Sequence, residues 1–174
     1  MITRRAVLAG LVGTVPILVG CAGQAQAGQH PTTKSEDLLP YTGLAKGASV
    51  TFPSFVSAEV KDGYQFALER PDVLKFLPCY CGCGLNAGHK NNLDCFILGQ
   101  DKSGSVQFDD HASFCQTCLD IARDAKRLVA EGKSLPEIRD YVDRAHGQKG
   151  PGTDTPKPTA HAAGLVSLVQ HDGE

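Results

Sequence analysis

Six cysteines, Cys79, Cys81, Cys83, Cys95, Cys115 and Cys118, crowd the middle of a 174-residue chain. Thiols act as soft metal ligands, as redox couples or as covalent staples, so the chemistry is expected here. Cys79, Cys81 and Cys83 alternate with single residues. A bridge between such close neighbours closes a tiny loop and strains the geometry a disulfide needs. Three thiols on one short turn suit an ion instead, around which several sulfurs converge. The turn's glycines, Gly82 and Gly84, let the backbone fold back. Cys115 and Cys118 are one helical turn apart and so neighbours on a helix surface. At a helix start the dipole favours thiolate and is expected to lower both thiol pKa values. His111, four residues before Cys115, and His89, in a polar loop after Gly88, are candidate nitrogen ligands; the alternative for each is a surface histidine. His146 closes a helix, where a cation meeting the negative dipole end is the expected role.

The elements that must position these residues follow from periodicity and caps. Ser57 is expected to cap a helix that turns Val60, Tyr64, Ala67 and Leu68 inward, although Asp62-Gly63 also reads as a turn signal. Pro71 suits the first turn of a short helix bearing Val73, Leu74, Phe76 and Leu77, which Pro78 stops. Phe96 to Leu98 and Val106 to Phe108 are predicted as two strands of a small hairpin. Asp110 or Ser113 caps a long helix, Ser113 with Gln116 forming a capping box. Its inward face is Phe114, Cys118, Ile121, Ala125 and Leu128, and Gly132 ends it. Ser134 and Glu137 make a second capping box, opening a helix with the stripe Leu135, Ile138, Tyr141, Val142 and Ala145.

The fold class expected is mainly α: a small helical domain with a short β-hairpin and a cysteine-rich, treble-clef-like metal site. A cysteine-glycine turn, a hairpin and a helix beginning with two cysteines resemble that arrangement, in which turn and helix supply two ligands each. Two or three of Cys79, Cys81 and Cys83 are expected to join Cys115 and Cys118 around one ion. Cys95, with Asp94 and His89 nearby, completes a second site or pairs with the spare thiol. The usual zinc turn has two residues between its cysteines and this one has one, which leaves room for a copper(I)–thiolate cluster of several ions.

The ends of the chain say where this happens. Arg4 and Arg5, an apolar run from Ala6 to Val19 and small residues thereafter have the order of an export signal over residues 1–20. Thr3-Arg4-Arg5-Ala6-Val7-Leu8 resembles a twin-arginine signal, and Leu18-Val19-Gly20-Cys21 a lipobox that would place lipid on Cys21. Cleavage after Ala25-Gln26-Ala27 is the rival and would release a soluble protein. The expected organisation is a lipidated N-terminus and tether over 21–50, a cysteine-rich helical domain over 51–147 and a disordered tail over 148–174, which holds His161 and His171. The location is then the extracytoplasmic face of a cell membrane, held there by lipid.

A formal charge of −2, few aromatics and no basic stripe argue against nucleic acid as a partner. Hydrolase motifs such as Gly-x-Ser-x-Gly and His-Glu-x-x-His are absent, and whether the chain is an enzyme stays open. The ion expected is zinc or copper(I), with an iron–sulfur cluster ranked below them. Haem of the c type is disfavoured, because Leu119 rather than histidine follows Cys118. Two other classes stand beside metal binding: thiol–disulfide exchange at Cys115 and Cys118, and a disulfide-stapled interaction module.

Pro78-Cys79-Tyr80-Cys81-Gly82-Cys83, with Gly88-His89, Asp94-Cys95 and His111-x-x-x-Cys115-x-x-Cys118, resembles a family of bacterial lipoproteins named for the motif Pro-Cys-Tyr-Cys-Gly-Cys. The resemblance implies an extracytoplasmic place and leaves the function open.

Overall fold

The computed structural model describes residues 38–43 and 56–159. The expected export signal over residues 1–20, Cys21, residues 21–37 and 44–55, and residues 160–174 with His161 and His171 lie outside the described residues. What is described is mostly helical, with one two-stranded antiparallel sheet. No described helix is long and apolar enough to cross a membrane.

Helix α1 spans Ala58–Glu69 and begins at Ser57, whose hydroxyl accepts a hydrogen bond from Val60 N at 3.2 Å. Asp62-Gly63 lies inside α1 rather than at a turn. A Cβ on Gly63 would sit 2.9 Å from Leu119 and 3.2 Å from the Phe96 ring, so glycine lets this backbone pack closely. Helix α2, Pro71–Leu74, carries proline in its first turn, where the missing N–H costs nothing. After the cysteine turn comes α3, Cys83–Asn86, then a 3-10 turn over Leu93–Cys95. Strands β1, Ile97–Gln100, and β2, Val106–Phe108, pair Ile97 with Phe108 and Gln100 with Val106. Leu39 extends this edge: its N–H and carbonyl bond with those of Gln100 at 2.8 and 2.9 Å. A Cβ on Gly99 would lie 2.6 Å from the Leu39 carbonyl, which explains glycine there.

Helix α4, His111–Phe114, α5, Gln116–Ala130, and α6, Leu135–His146, complete the fold. Helix α5 buries Cys118, Leu119, Ile121, Ala122, Ala125, Leu128 and Val129 and contacts both α1 and α6. Leu68, Leu74, Leu77, Phe96, Leu135, Ile138 and Val142 fill the core around it. The Ser134 capping box forms, with Ser134 N and Oγ donating to the Glu137 carboxylate at 2.8 and 2.6 Å.

The long helix differs from its sequence reading. It is broken at Cys115, whose φ of −117° and ψ of 99° are extended rather than helical. The Ser113 hydroxyl donates to the Asp110 carbonyl at 2.6 Å, and Gln116 reaches Glu59 and Asp120, so their capping box does not form. The break also turns Phe114 out of the inward face: it is 83% exposed.

The chain also makes contacts on both sides of the 51–147 boundaries. Tyr41 is buried, its hydroxyl donating to the Leu68 carbonyl at 2.8 Å. Thr153 and Thr155, in the expected tail, are buried too. Thr153 bonds Cys79 on both sides: Cys79 N donates to Thr153 Oγ1 at 2.9 Å, and Thr153 N donates to the Cys79 carbonyl at 3.0 Å. Buried Arg139 donates to the carbonyls of Phe76, Thr155 and Pro156 at 3.0, 3.2 and 3.2 Å. A polar, proline-rich composition reads as disorder, but here threonines and one arginine satisfy the segment's backbone groups.

Candidate metal centre

The Pro78–Cys83 turn leaves α2 and doubles back at Gly82, whose φ of 83° is left-handed and favours glycine. Cys79 Sγ lies 3.3 Å from both Cys81 Sγ and Cys118 Sγ, and Cys81 Sγ is 3.7 Å from Cys118 Sγ. Cys83 Sγ and Cys95 Sγ are 3.6 Å apart. These separations exceed the S–S bond of about 2.05 Å. They come close to the edge of a ligand tetrahedron, roughly 3.8 Å for sulfurs about 2.3 Å from a central ion. The six cysteines carry free thiols.

Two histidines border the sulfurs. Cys81 Sγ is 3.4 Å from His111 Nε2. His89 is buried, and its Nε2 faces Asp109 Oδ2 at 3.5 Å. Its Nδ1 is buried with no hydrogen-bond partner among the described residues. An orphaned buried nitrogen costs roughly 1–3 kcal/mol unless something occupies it. A carboxylate on one ring nitrogen is also how metal-binding imidazoles are commonly oriented. The same Asp109 accepts from His111 N at 2.7 Å, so one carboxylate supports both histidine positions.

Ligand atoms close enough to share an ion fall into four overlapping groups: Cys81, His111, Cys115 and Cys118; Cys79, Cys95 and Cys118; Cys79, Cys81 and Cys83; Cys83, His89 and Cys95. Cys79, Cys81, Cys83, Cys95 and Cys118 each belong to two, whereas Cys115, His89 and His111 belong to one.

Charge is shared unequally among the thiols. Hydrogen bonding from Cys118 is the main cause that pushes Cys79 down to about 4, and the same neighbour first pushes Cys81 below the usual thiol range. Cys83 is pushed up, first by Cys79, and Cys95 is pushed up, first by Cys118. Cys118 rises because of Cys79, and Cys115 because of burial. The Cys79 and Cys118 thiols both direct hydrogen bonds at Cys81 Sγ, and crowding further negative charge beside it is unfavourable. The expectation that a helix start lowers both Cys115 and Cys118 is therefore reversed, because burial and the neighbouring sulfurs outweigh the dipole. Burial disfavours charge on His89, but the Asp109 hydrogen bond and charge outweigh it and raise its pKa. Burial likewise opposes ionisation of Asp109, yet bonds from His89 and His111 N hold its carboxyl below the usual range.

The structure brings together Cys79, Cys81, Cys83, Cys95, Cys115, Cys118, His89 and His111, all singled out from sequence. It does not add Asp94, whose carboxylate accepts from Lys90 N at 2.7 Å and shapes the loop. His146 pairs with Asp124 at 2.9 Å and belongs to none of the groups. Sequence reasoning missed Asp109, Thr153 and Asn92. Asn92 is fully buried, its side-chain Nδ2 donating to the Cys118 carbonyl at 3.4 Å and its backbone carbonyl accepting from Cys95 N at 3.2 Å. Asp109 lies two residues before His111, the one hint available.

Residues 10–158 match the profile of a family described as a protein of unknown function with a PCYCGC motif. No curated protein and no solved structure matches the chain.

Proposed function

The chain belongs to the PCYCGC-motif family, and from that premise we propose that it is a membrane-anchored, extracytoplasmic lipoprotein that binds thiophilic metal ions in a cluster bridged by thiolates. Lipid on Cys21 is the anchor; the order of charge, apolar run and lipobox supports it. One observation carries the metal reading. Six sulfurs and two imidazoles converge in overlapping groups, five of the cysteines serving two groups each. A single tetrahedral ion uses four ligands and leaves the rest unexplained. Several ions, one per group, use all eight.

Copper(I) fits best. It selects soft sulfur, and three of the groups offer three ligands rather than the closed set of four that zinc prefers. The fourth group, Cys81, His111, Cys115 and Cys118, offers three sulfurs and a nitrogen and favours zinc as the second reading. The path from cysteine turn through hairpin to the helix bearing Cys118 is read as a relative of the treble clef. It departs from that pattern by its single-residue cysteine spacing and by the break before α5. Ion charge offsets the cost of ionising Cys83, Cys95, Cys115 and Cys118 together, which the metal-free thiols avoid.

Elemental analysis of the protein exported in its native host, paired with a thiol count after chelation, tests this. The expected result is more than one copper per chain and six thiols recovered. Zinc at one per chain would favour the second reading. Metal-free protein with three intact disulfides would replace both with a staple, and a lone labile Cys115–Cys118 bridge would point to exchange chemistry.

A further inference from the structure

The eight ligands are not equally covered. Cys79, Cys83, Cys95, Cys118 and His89 are buried. Cys81, His111 and Cys115 are only half-buried, and all three belong to the same group, which Cys118 joins to the interior. Exposure is therefore collected at one end. The ligands there also differ in how they are used. Cys115 and His111 serve that group alone, so releasing either uncouples no second ion. Cys81 and Cys118 each serve one further group, so a change at this end is passed inward through shared sulfurs. The group of Cys83, His89 and Cys95 is closed: all three are buried, Asp109 faces His89, the Cys95 thiol donates to the Asn91 carbonyl at 3.9 Å, and the His89 ring packs edge to face on His111 at 5.2 Å. Cys115 stands at the extended junction of α4 and α5 and caps both: its N–H donates to the Ala112 carbonyl at 3.3 Å, and its carbonyl accepts from Cys118 N and Leu119 N at 3.0 and 3.3 Å.

We propose, resting on the cluster reading above, that the Cys81–His111–Cys115 end is a port through which copper(I) is handed to and from a thiol-bearing acceptor. The step is ligand exchange. The acceptor's sulfur bonds to the ion at this end as the ion's bond to Cys115 Sγ breaks, and the proton of the incoming thiol ends on the Cys115 thiolate. The copper stays in the +1 state and no electrons move. Shared sulfurs then let an inner ion take the vacated position, so the cluster empties from one side.

The test uses the full-length chain loaded with copper(I) under exclusion of oxygen. Dithiothreitol is the acceptor, iodoacetamide traps each thiol as it is freed, and mass spectrometry assigns the labels. The expected intermediates carry labels on Cys81 and Cys115 while Cys79, Cys83 and Cys95 are unlabelled and most of the copper is still bound. In a second measurement, Cys115→Ser is expected to speed release of the first ion at least tenfold while Cys83, Cys95 and His89 keep their ions. Copper-loaded protein whose six thiols label together, or whose Cys83 and Cys95 label first, overturns the port and leaves the cluster standing. A first-ion rate unchanged in Cys115→Ser also overturns it. Failure of the chain to take up copper(I) overturns both readings, and the loading step alone reveals it.

Discussion

The α5–α6 half and the cysteine-turn half of this domain are held together by different means. Helices α5 and α6 bury Ile121, Ala125, Leu135, Ile138 and Val142 in the core, α5 packing on both α1 and α6, and a capping box opens α6. Apolar contact of that kind gains about 25 cal/mol per Å² buried and depends on no ion. Residues 78–95 hold only one short helix and a 3-10 turn, and their buried side chains are Cys79, Cys83 and Cys95 beside Pro78, His89, Asn92 and Leu93. Thiols packed as small apolar groups gain little once several must ionise side by side. The difference teaches that one half rests on apolar packing, whereas the other, on the metal reading proposed above, is completed by the ions it binds and by the segment that clamps it.

The strongest way to break this contrast is to remove the ions. Chelation is expected to withdraw stabilisation on the order of 10 kcal/mol from the turn half. Hydrogen exchange should accelerate over residues 79–95 while the α5 and α6 amides stay protected; equal loss in both halves would erase the distinction. Acid comes next. Cys83, Cys95, Cys115 and Cys118 have thiol pKa values pushed up. They therefore hold protons at neutral pH, and each ion must displace some of these. Falling pH strengthens the competitor, so a titration from pH 8 to 5 should weaken ion affinity by about tenfold or more per unit. An affinity flat across that range would show that the thiols do not give up protons on loading. Ile138→Ala sharpens the other side: a loss of about 2–5 kcal/mol in denaturant unfolding is expected, the same with and without ions. Dependence of that loss on ion loading would couple the halves. Thr153→Val is expected to cost about 1–3 kcal/mol by leaving the Cys79 amide without its acceptor. It should weaken ion retention while sparing α6, readable by competition with a chelator.

Local signals were legible where neighbours in sequence settle the outcome. Ser57, Pro71 and the Ser134–Glu137 pair cap helices as their spacing suggests, because the partners lie within one turn. Of the stripe Leu135, Ile138, Tyr141, Val142 and Ala145, Leu135, Ile138 and Val142 are buried, Tyr141 is half-buried and Ala145 is exposed. The cysteines and histidines of the centre were legible from their types and crowding. Their grouping was not, since five sulfurs serve two groups and only three-dimensional placement shows which. The break at Cys115 was hidden because Ser113, Gln116 and the apolar positions also fit an unbroken helix. Asp109 was missed because its bond to His111 N is local and ordinary, whereas its pairing with His89 depends on an earlier loop. Thr153 carried no signal: its partner Cys79 is 74 residues away.

That separation has a bearing on biosynthesis. A ribosome delivers every candidate ligand, from Cys79 to Cys118, before it makes Thr153 and Pro156. A nascent chain thus displays its thiols unclamped until Thr153 and Pro156 have been made, and a product stopped at Lys149 would possess all eight donors without that clamp. Such a truncated product should surrender copper(I) to a competing chelator sooner than the full-length protein does.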